Sequence, residues 1–505
     1  MMTLRNPRRL VYLLHRWSGV LVAVPMALWF LSGIVMLFVG YPKLYPWEHL
    51  ARLEALRPDN CCMPLDTLLA AQPGDAGEIT GLRLISVAGR PQYQVTRGAA
   101  IQALDAQTAT LVDGSDPALA VASVAHYLPG SAPTHEGLLQ ADLWTRSAAL
   151  NPHRPLHRVA AHDDAGTILY VSSRTGEVLQ RTDAWGRGWN YIGAWLHWLY
   201  LFRGPSPDPV WHWVVVALSA TATLSTLAGV LVGIWRWRFS RPYRSGSRSP
   251  YPGGALRWHH LSGLLFCITA VTWIFSGLMS MNPLGVLSAR DRPDHAAYQG
   301  QTLARAGFAR EAIDLIQAQP AGSVKEIRWS VIGAHPYLTG RGANEPPVLL
   351  SAEASRAPPQ AGIDQAGLLA AASQLYRAPI LSMQLLQAHD AYYYPRAPQA
   401  MRGAREKPLP VWRIEFDDPG NTWVHIDPRT GDIESTLDQR QRLGRWLFEL
   451  LHSWDLPIML AAAGWREAIL IVVSLGGLAL SATGAWIGYR RLRLTLAPAP
   501  PRGRR

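Results

Sequence analysis

The chain has 505 residues and a formal net charge of +12, with 49% hydrophobic and 17% charged residues. Its three cysteines are too few for a disulfide framework, and no Cys-x-x-Cys-His motif is present. A glycine-rich nucleotide motif on a strand-to-helix turn is also missing. The sequence therefore excludes a zinc site of paired cysteines, a thioether-linked haem and a built-in dinucleotide or ATP fold.

Four stretches of the chain are long and apolar enough to cross a bilayer, which takes about 20 residues. They run from Trp17 to Tyr41, from Val210 to Ile234, from Leu261 to Val286 and from Ala468 to Ile487, and they contain no Asp, Glu, Lys or Arg and a single histidine, His212. We interpret the first stretch as a span and not as a signal peptide. Its uncharged core is too long, and no Ala-x-Ala-like cleavage site follows it.

These spans divide the sequence into ten predicted segments. Residues 1–42 hold the N-terminus and the first span, 43–187 an outer lobe, 188–209 an interfacial helix, 210–237 the second span and 238–258 a basic loop. Residues 259–284 hold the third span, 285–439 a second outer lobe, 440–464 another interfacial helix, 465–489 the fourth span and 490–505 a basic tail.

Charge predicts the orientation of the spans. Sixteen arginines and no acidic residue lie in the N-terminus, the second connection and the C-terminal tail. By the positive-inside rule these three segments, and both termini with them, are cytoplasmic, and the two long lobes lie outside. The remaining 32 basic residues face 36 acidic ones. The net charge is therefore a topology signal and does not indicate nucleic-acid binding.

Both lobes end in the same pattern of strand, Asp/Gly turn, strand, Arg-Thr-Gly turn and strand. The pattern runs over 155–178 in the first lobe and over 410–433 in the second. Further runs predict strands at 82–87, 92–96 and 326–331, short helices at 305–317 and 368–376, and loops at 346–362 and 394–410. We expect two α+β lobes with small antiparallel sheets.

The lobes also contain polar side chains that are candidates for binding a ligand. His153, His157 and His162 cluster in the first lobe, and His389 and Asp390 precede three tyrosines in the second. Two interpretations are open, a metal or iron-chelate site and a solvated surface. We favour the surface, because exposed loop histidines are common.

The sequence repeats itself, and the repeat carries histidines. A shift of 255 residues places His197 on His452, and a shift of 244 places His15 on His259. The same shifts also match glycines, serines and arginines: Gly229/Gly484, Gly233/Gly488, Arg236/Arg491, Arg238/Arg493, Ser18/Ser262, Gly19/Gly263, Ser32/Ser276 and Gly33/Gly277.

These four histidines form two predicted pairs at opposite faces of the membrane. His15 and His259 begin the first and third spans at the inner face, whereas His197 and His452 lie in aromatic runs before the second and fourth spans, at the outer face. Aromatic interfacial segments tolerate single histidines. Two duplicated pairs favour a function, because ionisable groups at membrane depth are costly and an iron with two axial ligands takes one imidazole from each half.

Other residues near these pairs leave alternatives open. His260 lies beside His259 and is a reserve ligand, although the repeat favours His259. His212 is a second reserve, since its counterpart in the repeat is Glu467. The small residues near the histidines have two candidate roles, room for a cofactor and close helix packing. Gly19 and Gly263 come one turn after His15 and His259 and leave room for a flat macrocycle. The Gly-x-x-x-Gly pairs 229/233 and 484/488 are typical of close helix packing.

The segments Leu14-His15-Arg16-Trp17-Ser18-Gly19 and Leu451-His452-Ser453-Trp454-Asp455-Leu456-Pro457, with the repeated Arg-Thr-Gly turns, resemble the PepSY-associated transmembrane family. This family includes iron-uptake membrane proteins and ferric-siderophore reductases of the bacterial inner membrane. The resemblance covers nearly the whole chain. It implies one or two b-type haems held by His15, His259, His197 and His452, and electrons carried outward to a periplasmic ferric siderophore. The lobes here are longer and richer in loops than those of compact members.

We therefore expect an α-helical multi-pass protein of the bacterial inner membrane, with four transmembrane helices in a pseudo-two-fold duplicated bundle and two periplasmic PepSY-like lobes. Its electron donor is expected to be a quinol or a cytoplasmic flavin or nicotinamide reductase. Two other functions stay open. The lobes are binding or inhibitory modules that sense a peptide or a peptidase without redox activity, or the chain passes electrons to another periplasmic oxidoreductase.

Overall fold

The computed structural model of the chain describes residues 7–70, 79–203, 208–353, 358–401, 403, 405–462 and 464–496. The chain divides into two compact units. The helical unit comprises Met1–Tyr41, Trp189–Ser288 and Arg442–Arg505, and the sheet unit comprises Pro42–Gly188 and Ala289–Gln441. The predicted cytoplasmic arginines at positions 5, 502, 504 and 505 lie outside the described residues.

Three helices of the helical unit are long and apolar enough to cross a membrane: α1 (Pro7–Met36), α2 (Pro209–Arg236) and α5 (Trp465–Leu496). A fourth follows if α3 (Gly254–Leu265) and α4 (Cys267–Ser280), which are bent by 75° at Phe266, form one broken span. A helix of 28 residues reaches about 42 Å, more than the apolar core of a bilayer at about 30 Å. The chain is thus membrane-associated, with three or four candidate spans.

Local sequence explains where helix α2 begins. Pro209 opens α2, and the Asp208 side chain caps it by accepting a hydrogen bond from the Trp211 amide at 3.0 Å. Helix α1 ends at Met36 and not at Tyr41 as predicted. Beyond it, the Asn190 side chain donates to the Gly40 carbonyl, so that carbonyl is satisfied outside the helix.

The segments that lead into α2 and α5 are built from short helical turns. Each contains a π-helical turn, Tyr191–Trp195 in the first and Arg445–Leu450 in the second. Each then passes through a residue in the left-handed region, Leu199 (φ 51°) and Trp454 (φ 49°), 255 positions apart. The remaining short helices of this unit and its edges are Ala184–Asn190, Tyr200–Phe202, Pro283–Gly285, Gln439–Gly444, Leu451–Ser453 and Pro457–Ala461.

The core of the helical unit is tightly packed between the spans. Val22, Met26 and Phe30 of α1 pack with residues of α2 and α4. Glycines of α5 admit the aromatic rings, because a Cβ on Gly477 would lie 2.4 Å from the Phe30 ring and one on Gly476 equally close to the Phe266 ring. The bundle is therefore shaped by close helix contact.

The sheet unit contains three antiparallel sheets. The largest has the strand order β10-β9-β8-β1-β2-β3, and its central pair joins Leu82 of β1 to Trp329 of β8. Strands of both predicted lobes therefore share one sheet, which the sequence did not indicate. Its strands are β1 (Ile79–Val87), β2 (Arg90–Arg97), β3 (Ala100–Asp105), β8 (Glu326–Ile332), β9 (His335–Arg341) and β10 (Val348–Ser351).

The other two sheets have four strands each, in the orders β4-β5-β6-β7 and β11-β12-β13-β14. They contain the strands predicted after Pro155 and Pro410. The first sheet consists of β4 (Thr134–Leu139), β5 (Leu156–Ala160), β6 (Ile168–Ser172) and β7 (Val178–Thr182). The second consists of β11 (Ile380–Leu386), β12 (Val411–Phe416), β13 (Trp423–Ile426) and β14 (Ile433–Leu437).

Short helices accompany these sheets, and two predictions are corrected. The helix expected over 305–317 begins only at Ala312, because Gly307 has φ +59° and cannot lie within a helix. The loop expected over 346–362 contains strand β10, which pairs with β9. The helices are Pro46–Arg52, Pro58–Asn60, Leu65–Ala70, Pro117–Tyr127, Ala148–His153, His295–Gln299, Ala312–Gln317 and Gln365–Ala372.

Candidate functional site

His15 of α1 and His259 of α3 face each other inside the helical unit. Their ring centroids are 6.1 Å apart and their planes differ by 29°. The Nδ1 atom of His15 lies 3.0 Å from the Ser225 carbonyl, and that of His259 lies 3.1 Å from the Leu480 carbonyl. Because a carbonyl only accepts, each ring carries its proton on Nδ1, and Nε2 is the nitrogen that would coordinate a metal.

His197 and His452 form a second pair, with ring centroids 6.0 Å apart and planes that differ by 72°. Their Nδ1 atoms each lie 3.0 Å from a serine hydroxyl, Ser32 of α1 for His197 and Ser276 of α4 for His452. Each hydroxyl donates its own proton to a carbonyl of its helix, at 2.6 and 3.0 Å. The serine oxygens therefore accept from the imidazoles, and all four rings have the same tautomer.

The ring spacing in both pairs suits one metal ion held on two sides. Two metal–nitrogen bonds of about 2 Å each, and about 1 Å from each ring centre to its nitrogen, add up to about 6 Å. The observed 6.1 and 6.0 Å agree with this distance. Among the described residues, no group of three or more His, Cys, Asp and Glu side chains is arranged to hold a metal ion. Each pair could therefore hold a haem iron between its two imidazoles, a group that would bring its remaining ligands with it.

The two pairs lie at opposite ends of the bundle. His15 and Ser32, which bonds His197, are 17 residues apart on α1. At about 1.5 Å per residue this spacing corresponds to about 25 Å along the helix. That distance approaches the apolar thickness of a bilayer, about 30 Å. The two pairs therefore lie near opposite ends of the apolar helices.

Two glycines of the Gly-x-x-x-Gly pairs contact the histidines. A Cβ on Gly229 would lie 2.7 Å from Cε1 of His15, and a Cβ on Gly484 would lie 3.2 Å from Cε1 of His259. The prediction that Gly229 and Gly484 serve helix packing alone is therefore incomplete. A spacing of small residues marks a close approach, and it does not say which neighbour approaches.

The glycines that the sequence assigned to the macrocycle contact neighbouring helices instead. A Cβ on Gly19 would meet Ser225 Oγ at 3.7 Å, and one on Gly263 would meet the Leu480 side chain at 3.4 Å. Both distances are ordinary contacts. Gly33 and Gly277, in contrast, do adjoin the His197–His452 pair: a Cβ on Gly33 would lie 3.9 Å from Cε1 of His197, and a Cβ on Gly277 would lie 3.9 Å from Cε1 of His452.

The structure separates His260 from its neighbour His259. Its Nδ1 atom bonds the Ser249 hydroxyl at 2.8 Å, and its Nε2 atom bonds the Gly233 carbonyl at 3.0 Å. Both ring nitrogens are used by the protein, and the side chain is buried. His260 therefore ties the loop after α2 to the end of that helix. The other reserve, His212, lies on α2, where its ring contacts Trp213 and takes part in neither pair.

The histidines of the first lobe make structural hydrogen bonds, and the solvated surface expected for them is wrong for His157, which is buried in strand β5. His157 is bonded at Nδ1 to His135 (3.0 Å) and at Nε2 to the Gly114 carbonyl (2.9 Å). His153 bonds Ser172 at 3.0 Å and His162 bonds Thr134 at 2.6 Å. In the second lobe, His389 bonds the Lys407 carbonyl at 2.9 Å.

Sequence reasoning missed a buried charge cluster in the large sheet. Arg83 of β1 contacts Glu177 at 2.6 Å and Glu326 of β8 at 3.3 Å, and His49 contacts Glu177 at 3.0 Å. Burial alone would raise the pKa of Glu177, but Arg83 and His49 outweigh it and lower that pKa. The charged Arg83 within the apolar run 82–87 was the feature that could have revealed this cluster.

A second unforeseen ion pair lies in the segment that carries His452. Arg445 and Asp455 are both buried, and their side chains are 2.9 Å apart. Arg445 belongs to the π-helical turn, a local structure that frequently marks functional sites. The corresponding positions of the first half are Asn190 and Tyr200, so this charge pair distinguishes the two halves.

No family model matches the sequence, and no curated protein is significantly similar to it.

Proposed function

We propose that this chain is a haem-containing electron-transfer protein of the bacterial inner membrane, of the PepSY-associated transmembrane kind, that reduces ferric iron bound to a siderophore in the periplasm. One observation carries the proposal. The four histidines singled out by the repeat lie as two pairs, each spaced for one axially ligated iron, at opposite ends of an apolar helix bundle.

In this proposal His15 and His259 hold one b-type haem, and His197 and His452 hold the other. Haem iron, when bound, supplies reversible one-electron chemistry. The protein contributes the rest. The acceptors on Nδ1 fix the tautomer and the orientation of each ring, and Gly229 and Gly484 leave the space that the imidazoles occupy.

The distribution of charge supports an outward direction of transfer. The end of the bundle that carries His15 and His259 is rich in arginine and has no acidic residue in its sequence. By the positive-inside rule this end faces the cytoplasm, and the His197–His452 end faces the periplasm. The arginines of this end within the described residues are Arg8, Arg9, Arg16, Arg236, Arg238, Arg241, Arg244, Arg248, Arg257, Arg490, Arg491 and Arg493.

The proposed reaction is a one-electron reduction. The donor, a membrane quinol or a cytoplasmic flavin or nicotinamide reductase, is oxidised, and one ferric ion per electron becomes ferrous in the periplasm. A siderophore holds ferrous iron less tightly than ferric iron, so the metal is released for uptake.

A duplicated bundle accounts for the shared geometry of the two pairs. The carbonyl partners Ser225 and Leu480 are 255 residues apart, as are the left-handed residues Leu199 and Trp454. The serine partners Ser32 and Ser276 are 244 residues apart. These are the two shifts at which the sequence itself repeats.

The test uses the purified full-length protein in detergent. Reduction with dithionite should give the Soret and α bands of a b-type haem. Anaerobic addition of a ferric trihydroxamate or triscatecholate should reverse those bands, and a ferrous-specific chelator should trap the product. The His212→Ala variant is the matched control and should behave like the unaltered protein, because His212 lies in neither pair.

The two other outcomes contradict the proposal in different ways. A colourless but folded protein favours a membrane-anchored module that senses a peptide or a peptidase. Haem that stays reduced in the presence of every ferric chelate favours transfer to another periplasmic oxidoreductase.

A further inference from the structure

We infer that Ser32 and Ser276 are positioning residues that set the ring orientation and the basicity of His197 and His452, and through them the reduction potential of that haem. This inference rests on the proposed function, because it concerns the ligand pair of one of the two proposed haems. It assigns a role to two side chains that bind no cofactor themselves.

Both serines are buried in the spans, with 1% and 0% of their surface exposed. A serine within a helix usually turns its hydroxyl back to a carbonyl of the preceding turn, which gives little stability. Ser32 and Ser276 make that bond too, but each also bonds an imidazole of another segment at 3.0 Å. The second bond is what distinguishes them.

The same two helical segments provide a comparison. Ser18 and Ser262 are also 244 residues apart, and their hydroxyls bond the Leu14 and Trp258 carbonyls at 2.6 and 2.7 Å. Neither is described with a bond to an imidazole. Serine in these spans is therefore tolerated without a ligand role, and the role of Ser32 and Ser276 follows from their contact with the histidines.

The hydrogen bonds run in one direction at each site. The imidazole Nδ1–H donates to the serine oxygen, and the serine O–H donates to a helix carbonyl. Such a chain strengthens each bond in it. An imidazole that donates from Nδ1 is a more basic ligand at Nε2, so it stabilises ferric iron more than ferrous iron and lowers the potential.

Substitution can remove the serine contacts, whereas the nearest acceptors of the other pair belong to the main chain; His259 has the Thr483 hydroxyl in addition, at 3.3 Å. His15 and His259 bond main-chain carbonyls, which side-chain substitution leaves in place. The two pairs, which differ in the kind of hydrogen-bond acceptor, also differ in the angle between their ring planes: 29° for His15–His259 and 72° for His197–His452. Two nearly perpendicular axial rings leave the π-bonding d orbitals of ferric iron almost degenerate, so that haem should give a far more anisotropic paramagnetic resonance signal.

The experiment compares Ser32→Ala, Ser276→Ala and the double variant with the controls Ser18→Ala and Ser262→Ala, all as full-length protein. Redox titration should show two components in the unaltered protein. In the double variant the His197–His452 component should rise in potential by about 59 mV, a tenfold change in the reduction equilibrium. Its anisotropic resonance signal should change, and the other component should not.

The controls should leave both components unchanged, and Ser32→Thr, which keeps the hydroxyl, should retain the original signal. Loss of the His197–His452 haem alone from the alanine variants, with Ser32→Thr still loaded, also supports the inference. Two haems with unchanged potential and signal in the double variant would overturn it while leaving the proposed function intact. An unaltered protein without haem would overturn both.

Discussion

Two buried histidines of the sheet unit and the paired histidines of the helical unit use their ring nitrogens differently. In the sheet unit, His157 is bonded at both nitrogens, and so is His425, which meets Ser435 at 3.0 Å and Arg413 at 2.9 Å. In the helical unit, His15 and His259 are hydrogen-bonded to the protein at Nδ1, and each faces a second imidazole at 6.1 Å.

The difference excludes His157 and His425 as metal ligands and leaves His15 and His259 as candidates. A buried ring with two protein partners has no lone pair left for a metal, whatever its sequence context. His260 obeys this rule within the helical unit itself, since Ser249 and Gly233 occupy both of its nitrogens. The pattern of partners is thus more informative than the residue type or its burial.

The largest expected effect is a contrast between two variants, one of a proposed haem ligand and one of a structural histidine. His197→Ala should reduce the haem content from two to one per chain, because its iron loses an axial ligand. His157→Ala should keep both haems but destabilise the sheet unit by about 1–3 kcal/mol for each buried group left without a partner. Haem content and thermal unfolding of the two variants measure the contrast. Haem loss in His157→Ala would contradict it.

The next effect concerns the glycines beside His15 and His259. Gly229→Ala should displace His15 and cost most of that haem, because the new Cβ would lie 2.7 Å from the ring. Gly484→Ala should cost less, since 3.2 Å requires a smaller shift of His259. Gly253→Ala is the control, because nothing lies within 4 Å of its Cβ position. Haem per protein gives the order, and an equal, full haem content in all three variants would refute it.

A smaller effect tests the sheet unit through pH. Burial, and then Arg413, lower the pKa of His425 to about 3, below its unfolded value of about 6.5. Between these values the unfolded chain binds a proton that the folded chain does not. The contribution of neutral His425 to the free energy of unfolding is therefore fully present above about pH 6.5, and it is lost progressively as the pH falls toward about 3.

The His425→Gln variant, which keeps an acceptor for Arg413, should show a shallower decline. Hydrogen exchange of strand β13 between about pH 7 and about pH 4.5, in the full-length protein, measures this slope. An identical slope in the variant and the unaltered protein would exclude His425 as its source.

The smallest effect concerns His260. His260→Ala should leave both haems in place and loosen the loop after α2, because two buried hydrogen bonds are lost. Trypsin should cut at the loop arginines about tenfold faster, in proportion to the more frequent opening of the loop. Loss of the His15–His259 haem with an unchanged cleavage rate would instead make His260 a ligand.

Much of the site could be predicted because the repeat singles out side chains. His15, His259, His197 and His452 fall on the two shifts, and the structure brings them together in the expected couples. Their acceptors could not all be predicted. Ser225 and Leu480 contribute main-chain carbonyls, and every residue has one, so the residue type does not indicate this role.

The fold was predictable where it depends on local patterns and less so where it depends on distant contacts. The candidate spans and the strands β5–β7 and β12–β14 follow from apolar runs and turn residues. The pairing of β1 with β8 joins residues about 250 positions apart in sequence, and no local pattern encodes it. The break between α3 and α4 at Phe266 was also missed, since neither proline nor glycine marks it.

The most direct test of the central claim, that each iron is held by one histidine from each half, counts haem in double variants. His15→Ala/His259→Ala removes both ligands of one proposed site, so one haem per chain should remain. His15→Ala/His197→Ala removes one ligand from each site, so both haems should be lost or severely depleted. One fully retained haem in the second variant, or none in the first while each single variant keeps one, would contradict the pairing.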